Sequence, residues 1–275
     1  KILEAEFELF KSFIEEECGI HIQKGKEYLI ETRLSDMLDE LSCRSYYEFY
    51  KKITSDISGK LKNRIIDAMT TNETYWFRDE STWEYLEKVL VPSFIEKLKA
   101  GNKIRIWSAA ASTGQEIYSL GILFNALLKK QNALHLLNSI EFFATDISFS
   151  ALLIAKAGRY GSLAMSRGLT SDVLDKYFVK DMNVWILDAE LRKKVTFQQF
   201  NLQNSFISLG VFDLILCRNV IIYFSEAFRA KLFVKLFNTL KPSGILLLGN
   251  SEFIRGLSGQ FETSYYKNAI IYTKI

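Results

Sequence analysis

Apolar positions recur every three or four residues along the first 69 positions, the spacing of amphipathic helices. In EAEFELFKSFIEEECG, Phe7, Phe10, Phe13 and Ile14 share one stripe and Gly19 offers a C-cap. KEYLIETRLSDMLDEL repeats the stripe with Leu29, Ile30, Leu34, Met37, Leu38 and Leu41, and SYYEFYKKI and SGKLKNRIIDAM predict two shorter helices. Residues 1–70 are therefore expected to form a small all-α domain.

From residue 101 the rhythm changes. NKIRIWSAA, IEFFATDI, FDLILCRN and ILLLGN read as apolar strands, and AIIYTKI closes the chain. Between them TGQEIYSLGILFNALLKK, SFSALLIAKA and SEAFRAKLFVKLFNTLK have the helical period. Strands alternating with helices imply right-handed βαβ units and a parallel sheet, an α/β domain. The alternation blurs between Gly158 and Gln203, where VWILDAELRKKVTFQQF is expected to form an inserted β hairpin. The junction between the two regions, TTNETYWFRDE at 70–80, is unlike an ordinary linker: it has no Gly or Pro and places Tyr75, Trp76 and Phe77 side by side.

Composition narrows the chemistry only a little. A chain of 275 residues with 48% hydrophobic positions suits two globular domains. Residues 1–69 carry 11 Lys and Arg against 14 Asp and Glu, a balance of −3, so the overall +3 leaves +6 on the remainder. That excess is too dispersed for a nucleic-acid stripe. Cys18, Cys43 and Cys217 lack metal or disulfide spacing, and His21 and His135 are too few for zinc chemistry or a histidine-based triad, so no metal is expected. No apolar run reaches the roughly 18 residues that cross a bilayer. The chain opens on Lys1 without a signal-peptide pattern; its native start is expected upstream and its location cytoplasmic, without membrane insertion.

Ligands of open α/β sheets lie beyond the carboxyl ends of the strands. The first such end, WSAAASTGQE at 107–116, combines small residues with a helix N-terminus that attracts an anion, though a packing turn explains it as well. The second ends in Asp146, placed either to accept hydrogen bonds from a ribose or to N-cap the next helix. The third, CRNVIIYF at 217–224, presents Asn219 and Tyr223, or is a buried strand end with a core tyrosine. One glycine in the first loop and an acid after the second strand suggest S-adenosylmethionine rather than a dinucleotide.

These segments resemble the CheR family of chemotaxis-receptor glutamate methyltransferases. The family pattern runs TTN-x-T-x-FFR(D/E), WSAA-x-STGEEPYS, ATDI, CRNV-x-IYF and G-x-L-x-x-G-H-SE; this chain has TTNETYWFRD, WSAAASTGQEIYS, ATDI, CRNVIIYF and GILLLGNSE in the same order. The resemblance implies a Rossmann-like S-adenosylmethionine-dependent methyltransferase domain preceded by a small all-α domain, with a short β insertion. Its expected organisation is a receptor-recognition domain over 1–70, a linker over 71–90 that contributes to the cofactor site, and a methyltransferase domain over 91–275 with a β-subdomain at about 178–200. Carried over position by position, Asn72, Thr74, Arg78, Glu116, Asp146, Asn201, Leu202, Asn219 and Val220 contact S-adenosylmethionine, and S-adenosylhomocysteine is the product. The aromatics of the linker roof the site. Departures are Gln115 for Glu, Ile117 for Pro, Trp76 for Phe and Asn250 for His. Residues 178–195 also lack the glycines of the β-subdomain with which some members grip the receptor's C-terminal peptide, so no pentapeptide tether is expected.

The reaction implied is methyl transfer to a carboxylate that is already ionised at neutral pH, its pKa being about 4.3. No general base is required, and Arg78 and Tyr223 are the expected catalytic residues, aligning the reactants. The expected partners are the cytoplasmic helices of chemotaxis receptors, met by the N-terminal helices, with Lys24, Lys26, Arg33 and Arg44 as a candidate basic patch; a monomer is expected. A nucleic-acid methyltransferase and a non-catalytic, cofactor-sensing scaffold share the same fold and stand as alternatives.

Overall fold

The structure, a computed structural model, describes residues 1–254, 256 and 259–275. Four helices open the chain: α1 (Glu4–Cys18), α2 (Glu27–Glu40), α3 (Tyr46–Ser55) and α4 (Lys60–Met69). Their stripes close one core, in which fully buried Phe10 meets Tyr46, Phe49 and Tyr50 at ring-centroid distances of 5.8, 5.6 and 5.9 Å. Truncating such an aromatic to Ala costs about 3–5 kcal/mol. Helix α1 stops at Gly19, whose φ of 75° lies in the left-handed region. A side chain there would also strike the Phe228 ring, so the same residue ends the helix and lets it dock on the second domain.

Residues 70–79 cross to α5 (Glu80–Tyr85), which continues through a π-helical turn (Leu86–Leu90) into α6 (Val91–Lys99). The chain then runs β1 (Ile104–Ala109), α7 (Gln115–Lys130), β2 (Ile140–Asp146), α8 (Phe149–Ala157), β3 (Arg159–Gly161), α9 (Ser162–Met165), α10 (Ser171–Tyr177), β4 (Phe178–Asp181), β5 (Val184–Leu187), α11 (Ala189–Lys194), β6 (Val195–Gln199), β7 (Phe212–Leu216), α12 (Glu226–Thr239), β8 (Leu240–Leu247), β9 (Phe261–Tyr266) and β10 (Ala269–Lys274). Seven strands form one sheet in the order β6-β2-β1-β7-β8-β10-β9, the first five parallel and the last two antiparallel. The order reverses between β1 and β7, which places the ligand crevice at their carboxyl ends. Apolar clusters cover both faces, one with α6 and α7, the other with α12. Among the described residues no helix is long and apolar enough to cross a membrane.

Two expectations need correcting. The antiparallel insertion lies earlier in the chain than VWILDAELRKKVTFQQF implies. The small antiparallel sheet is β3-β5-β4, and VTFQQ is the outer strand of the main sheet, parallel to β2. As an edge strand it is largely solvated, so its polar alternation imitates a hairpin. The last parallel strand also begins before Gly244: β8 runs from Leu240, and Pro242–Gly244 bulges within it, with Ser243 at φ 59°.

Candidate active site

An open cleft lies at the carboxyl ends of β1, β2 and β7, where ligands of open α/β sheets bind. The structure brings every candidate site residue to its wall: Asn72, Thr74, Arg78, Glu116, Asp146, Asn201, Leu202, Asn219, Val220 and Tyr223. Cys18 and Ile20, from the end of the N-terminal domain, complete it and were not anticipated. Burial pushes the Cys18 thiol up to about 12, so it is a packing group and not a nucleophile.

The turn after β1 is built from backbone that most residues avoid. Ala110, Ser112 and Gly114 have φ of 79°, 50° and 91°. A Cβ on Gly114 would also stand 3.0 Å from that of Ala155. The turn is held to the end of β2: Ala110 N and Ala111 N donate to Thr145 O, and Ser112 N donates to Asp146 Oδ2 at 2.7 Å. Asp146 Oδ1 accepts from Ser148 N at 2.9 Å. Helix α8 is capped by Ser148, whose Oγ accepts from Ala151 N. Asp146 is therefore not the N-cap, and each of its oxygens keeps a further lone pair. Burial raises its carboxyl above the ordinary 3.8, against the lowering effect of the Ser148, Ser112 and Ile147 N–H groups.

Glu116 is fixed by an ion network that sequence reading missed. Its Oε1 accepts from Ser108 Oγ and its Oε2 from Arg218 Nη1, both at 2.8 Å. Arg218 Nη2 donates to Asp79 Oδ2 at 2.7 Å and to Arg78 O at 2.8 Å. The Arg218 side chain is 1% exposed, and an arginine that ends an apolar strand in FDLILCRN is the signal that could have found it.

The linker's aromatics divide their work. Tyr75 alone lines the cleft, flanked by the Arg78 and Arg167 guanidiniums at 5.3 and 4.0 Å from its ring centre. Trp76 is fully buried the other way, edge-on to Tyr160 and Phe178 at 5.1 Å each, with Nε1 donating to Ala164 O. Phe77 packs on Trp83, and its N–H donates to Ser119 Oγ. The expected three-ring roof is thus one ring and two anchors, because Trp76 and Phe77 lie in a turn and the chain does not continue extended past Tyr75. Left-handed φ values at Phe77 (49°) and Asp79 (71°) then turn the chain into α5. Arg78 Nη1 donates to Glu73 O at 3.2 Å.

Asn219, with φ 59°, starts the loop that carries Tyr223. The N-terminal domain is tied to this side of the cleft: His21 N donates to Tyr223 O, Ile20 bridges Phe224, Asn201 Nδ2 donates to Glu17 O and Gln203 Nε2 to Glu15 O. Of the candidate basic patch, Lys24, Lys26 and Arg44 are exposed and Arg33 is half-buried. Arg33 caps α4 through Met69 O and reaches Thr71 Oγ1, and Lys24 pairs with Glu4. Among the described residues no cluster of His, Cys, Asp and Glu is placed to hold a metal ion.

The wall suits S-adenosylmethionine. It offers the Asp146 carboxylate to hydroxyl groups and small residues at 110–112 for close approach. Comparison with known proteins agrees. The family model described as CheR methyltransferase, SAM binding domain matches residues 72–270, and CheR methyltransferase, all-alpha domain matches residues 5–70. The chain is 40% identical over 269 residues to chemotaxis protein methyltransferase 1 of Pseudomonas aeruginosa, covering 98% of this chain and 97% of that one. It is 38% identical over 268 residues to chemotaxis protein methyltransferase Cher2 of Pseudomonas putida, with 97% of each covered. A chemotaxis protein methyltransferase of Vibrio parahaemolyticus is 38% identical over 275 residues, covering 98% and 97%. With S-adenosylmethionine as its cofactor, the chain belongs to the CheR methyltransferase family.

Proposed function

We propose that the protein methylates glutamate side chains of chemotaxis receptors, converting carboxylates to methyl esters in the cytoplasm. The observation that carries this reading is the convergence of residues from five separated stretches, 72–78, 116, 146, 201–202 and 219–223, on one cleft beside the N-terminal domain. The cofactor, when bound, supplies an electrophilic methyl group on a sulfonium and leaves as the neutral thioether S-adenosylhomocysteine.

The residues of this chain then have defined tasks. Asp146 accepts hydrogen bonds from ribose hydroxyls, while Asn72, Thr74, Glu116, Asn201, Leu202, Asn219 and Val220 form the remaining cofactor contacts. Arg78 binds a carboxylate through a planar fork of donors. Tyr223 donates its phenol to the acceptor carboxylate and sets its angle of approach. The acceptor loses charge as the new C–O bond forms, so exclusion of water from the cleft, whose wall includes the Tyr75 ring, favours reaction. Residues 1–70 meet the receptor helices, 71–90 link recognition to chemistry, and 91–275 hold the cofactor.

The test is incubation with tritiated S-adenosylmethionine and receptor-rich membranes. Base-labile methyl label on the receptor supports the proposal; label that resists base, or none, overturns it.

A further inference from the structure

The block GNSE at 249–252 has no task in the reaction as described, yet it ends in a buried carboxylate. Glu252 is 3% exposed. Its Oε1 accepts from Ile221 N at 2.8 Å and Ile222 N at 3.3 Å; its Oε2 accepts from Asn219 N at 2.7 Å and Gly249 N at 2.8 Å. Among the described residues it has no ion pair, so four backbone donors compensate it. Three of those donors belong to 219–222.

This loop cannot hold itself. Asn219 is in the left-handed region, and the residues that follow make a single 3-10 turn, Ile221–Tyr223, whose first N–H groups have no partner inside the turn. Glu252 satisfies them all from one point. The space for it is reserved: a Cβ on Gly249 would stand 2.6 Å from Asn219 Nδ2 and 2.8 Å from Glu252 Oε2. From the opposite side His21 N holds Tyr223 O.

We propose that Glu252 is a positioning residue for methyl transfer: its carboxylate sets the Asn219–Tyr223 loop and so aims the Tyr223 phenol at the acceptor. The inference rests on the proposed role of Tyr223. Only a carboxylate provides four acceptor sites here; a glutamine of the same shape turns an NH₂ towards two N–H donors.

The experiment is a double-mutant cycle in the full chain with Glu252→Gln and Tyr223→Phe, read as kcat on receptor membranes, with calorimetric S-adenosylhomocysteine affinity and near-ultraviolet circular dichroism as checks. Glu252→Gln is expected to stay folded, bind S-adenosylhomocysteine within about tenfold of the parent, and lose about 10²-fold in kcat, the cost of a misaimed group. In the Tyr223→Phe background the same change is expected to cost less than about threefold. Equal penalties in both backgrounds, or an unchanged kcat in Glu252→Gln, overturn the proposal. If Glu252→Gln does not fold, Glu252→Asp, which keeps the charge on a shorter arm, enters the same cycle with the same criteria. Failure of the functional reading looks different: the parent chain itself leaves the receptor unlabelled, or Tyr223→Phe turns over as the parent does.

Discussion

Arg218 Nη2 and Asp79 Oδ2 stand 2.7 Å apart and join the end of the fourth parallel strand to the residue that starts the helix after the linker. With Glu116 on its other nitrogen, Arg218 clamps the linker over the carboxyl ends of the sheet. The clamp is what makes a segment between two domains part of the cleft wall: Arg78, whose carbonyl also accepts from Arg218, cannot move without breaking it.

Arg218→Met is therefore expected to destabilise the fold by about 3–5 kcal/mol, because Asp79 and Glu116 are left as uncompensated charges in a largely buried setting. Urea unfolding followed by circular dichroism measures this. A midpoint unchanged from the parent would mean that the network is solvated and the clamp unimportant.

Arg78→Ala and Tyr223→Phe separate binding from alignment. Arg78→Ala is expected to weaken S-adenosylhomocysteine by about tenfold or more, the loss of charge-assisted hydrogen bonds. Tyr223→Phe is expected to leave that affinity nearly unchanged and to lower kcat by about 10- to 100-fold through lost orientation. The phenol's benefit lies in geometry and not in charge, since the acceptor carboxylate becomes less negative as it reacts. Calorimetry beside steady-state turnover distinguishes the two patterns. Folded variants with parental turnover would remove both residues from the mechanism.

Much of this was legible in the residues, and what was not has physical reasons. The interior strands β1, β2, β7 and β8 are continuous apolar runs because both faces of the sheet are covered, and the strand-end residues Asp146, Asn219 and Tyr223 follow from their positions. The edge strands β6 and β9 are largely exposed, so VTFQQ and FETSYY carry little periodic signal and were misplaced or passed over. Trp76 and Phe77 gave no sign of facing away from Tyr75, since the left-handed residues that turn the linker are Phe77 and Asp79, neither of which announces a turn as glycine does. The Arg218 network joins residues up to 140 positions apart, and no spacing rule reaches that far. Cys18 and Ile20 enter the wall only because α1 stops at Gly19 and docks.

The buried Asp146 predicts how binding depends on pH. Burial holds its carboxyl above the ordinary 3.8, and the ionised form is the one that can accept from ribose hydroxyls without placing a proton between them. Affinity for S-adenosylhomocysteine is thus fully present above the raised value and lost as pH falls through it, beginning at a higher pH than for an exposed aspartate. The sign for the fold is opposite: a raised native pKa favours the protonated form, so this group's contribution to stability is lost as pH rises through that value. Calorimetric titrations across the acid range should show affinity falling in the parent. Asp146→Asn should bind weakly at every pH, and equal affinity of parent and variant at neutral pH would sink the assignment.

The last prediction concerns how the receptor is found. The small sheet has an open edge at β4, where Val179 is 69% exposed, and β4 joins β5 through Met182–Asn183 with Met182 at φ 53°. An open edge is what strand addition needs, but the added backbone must come within about 4.8 Å of its neighbour. Residues 178–195 contain no glycine, so an added strand meets a side chain at every position, and Lys180 lies over the Trp185 ring, covering the pair from one face. We therefore expect the protein to work without a C-terminal pentapeptide tether, meeting its substrate through the N-terminal helices and the methylation site alone. Receptor affinity should be correspondingly modest, because a tether's effective concentration, in the mM range for short flexible linkers, is not available. Calorimetry with a peptide ending in the receptor pentapeptide should give no measurable heat. A receptor truncated for that peptide should be methylated within about twofold of the full-length one, since no intramolecular advantage is lost. Micromolar binding of the peptide, together with loss of methylation on truncation, would show that a glycine-free β4 edge accepts a strand after all and that the argument from close approach is wrong.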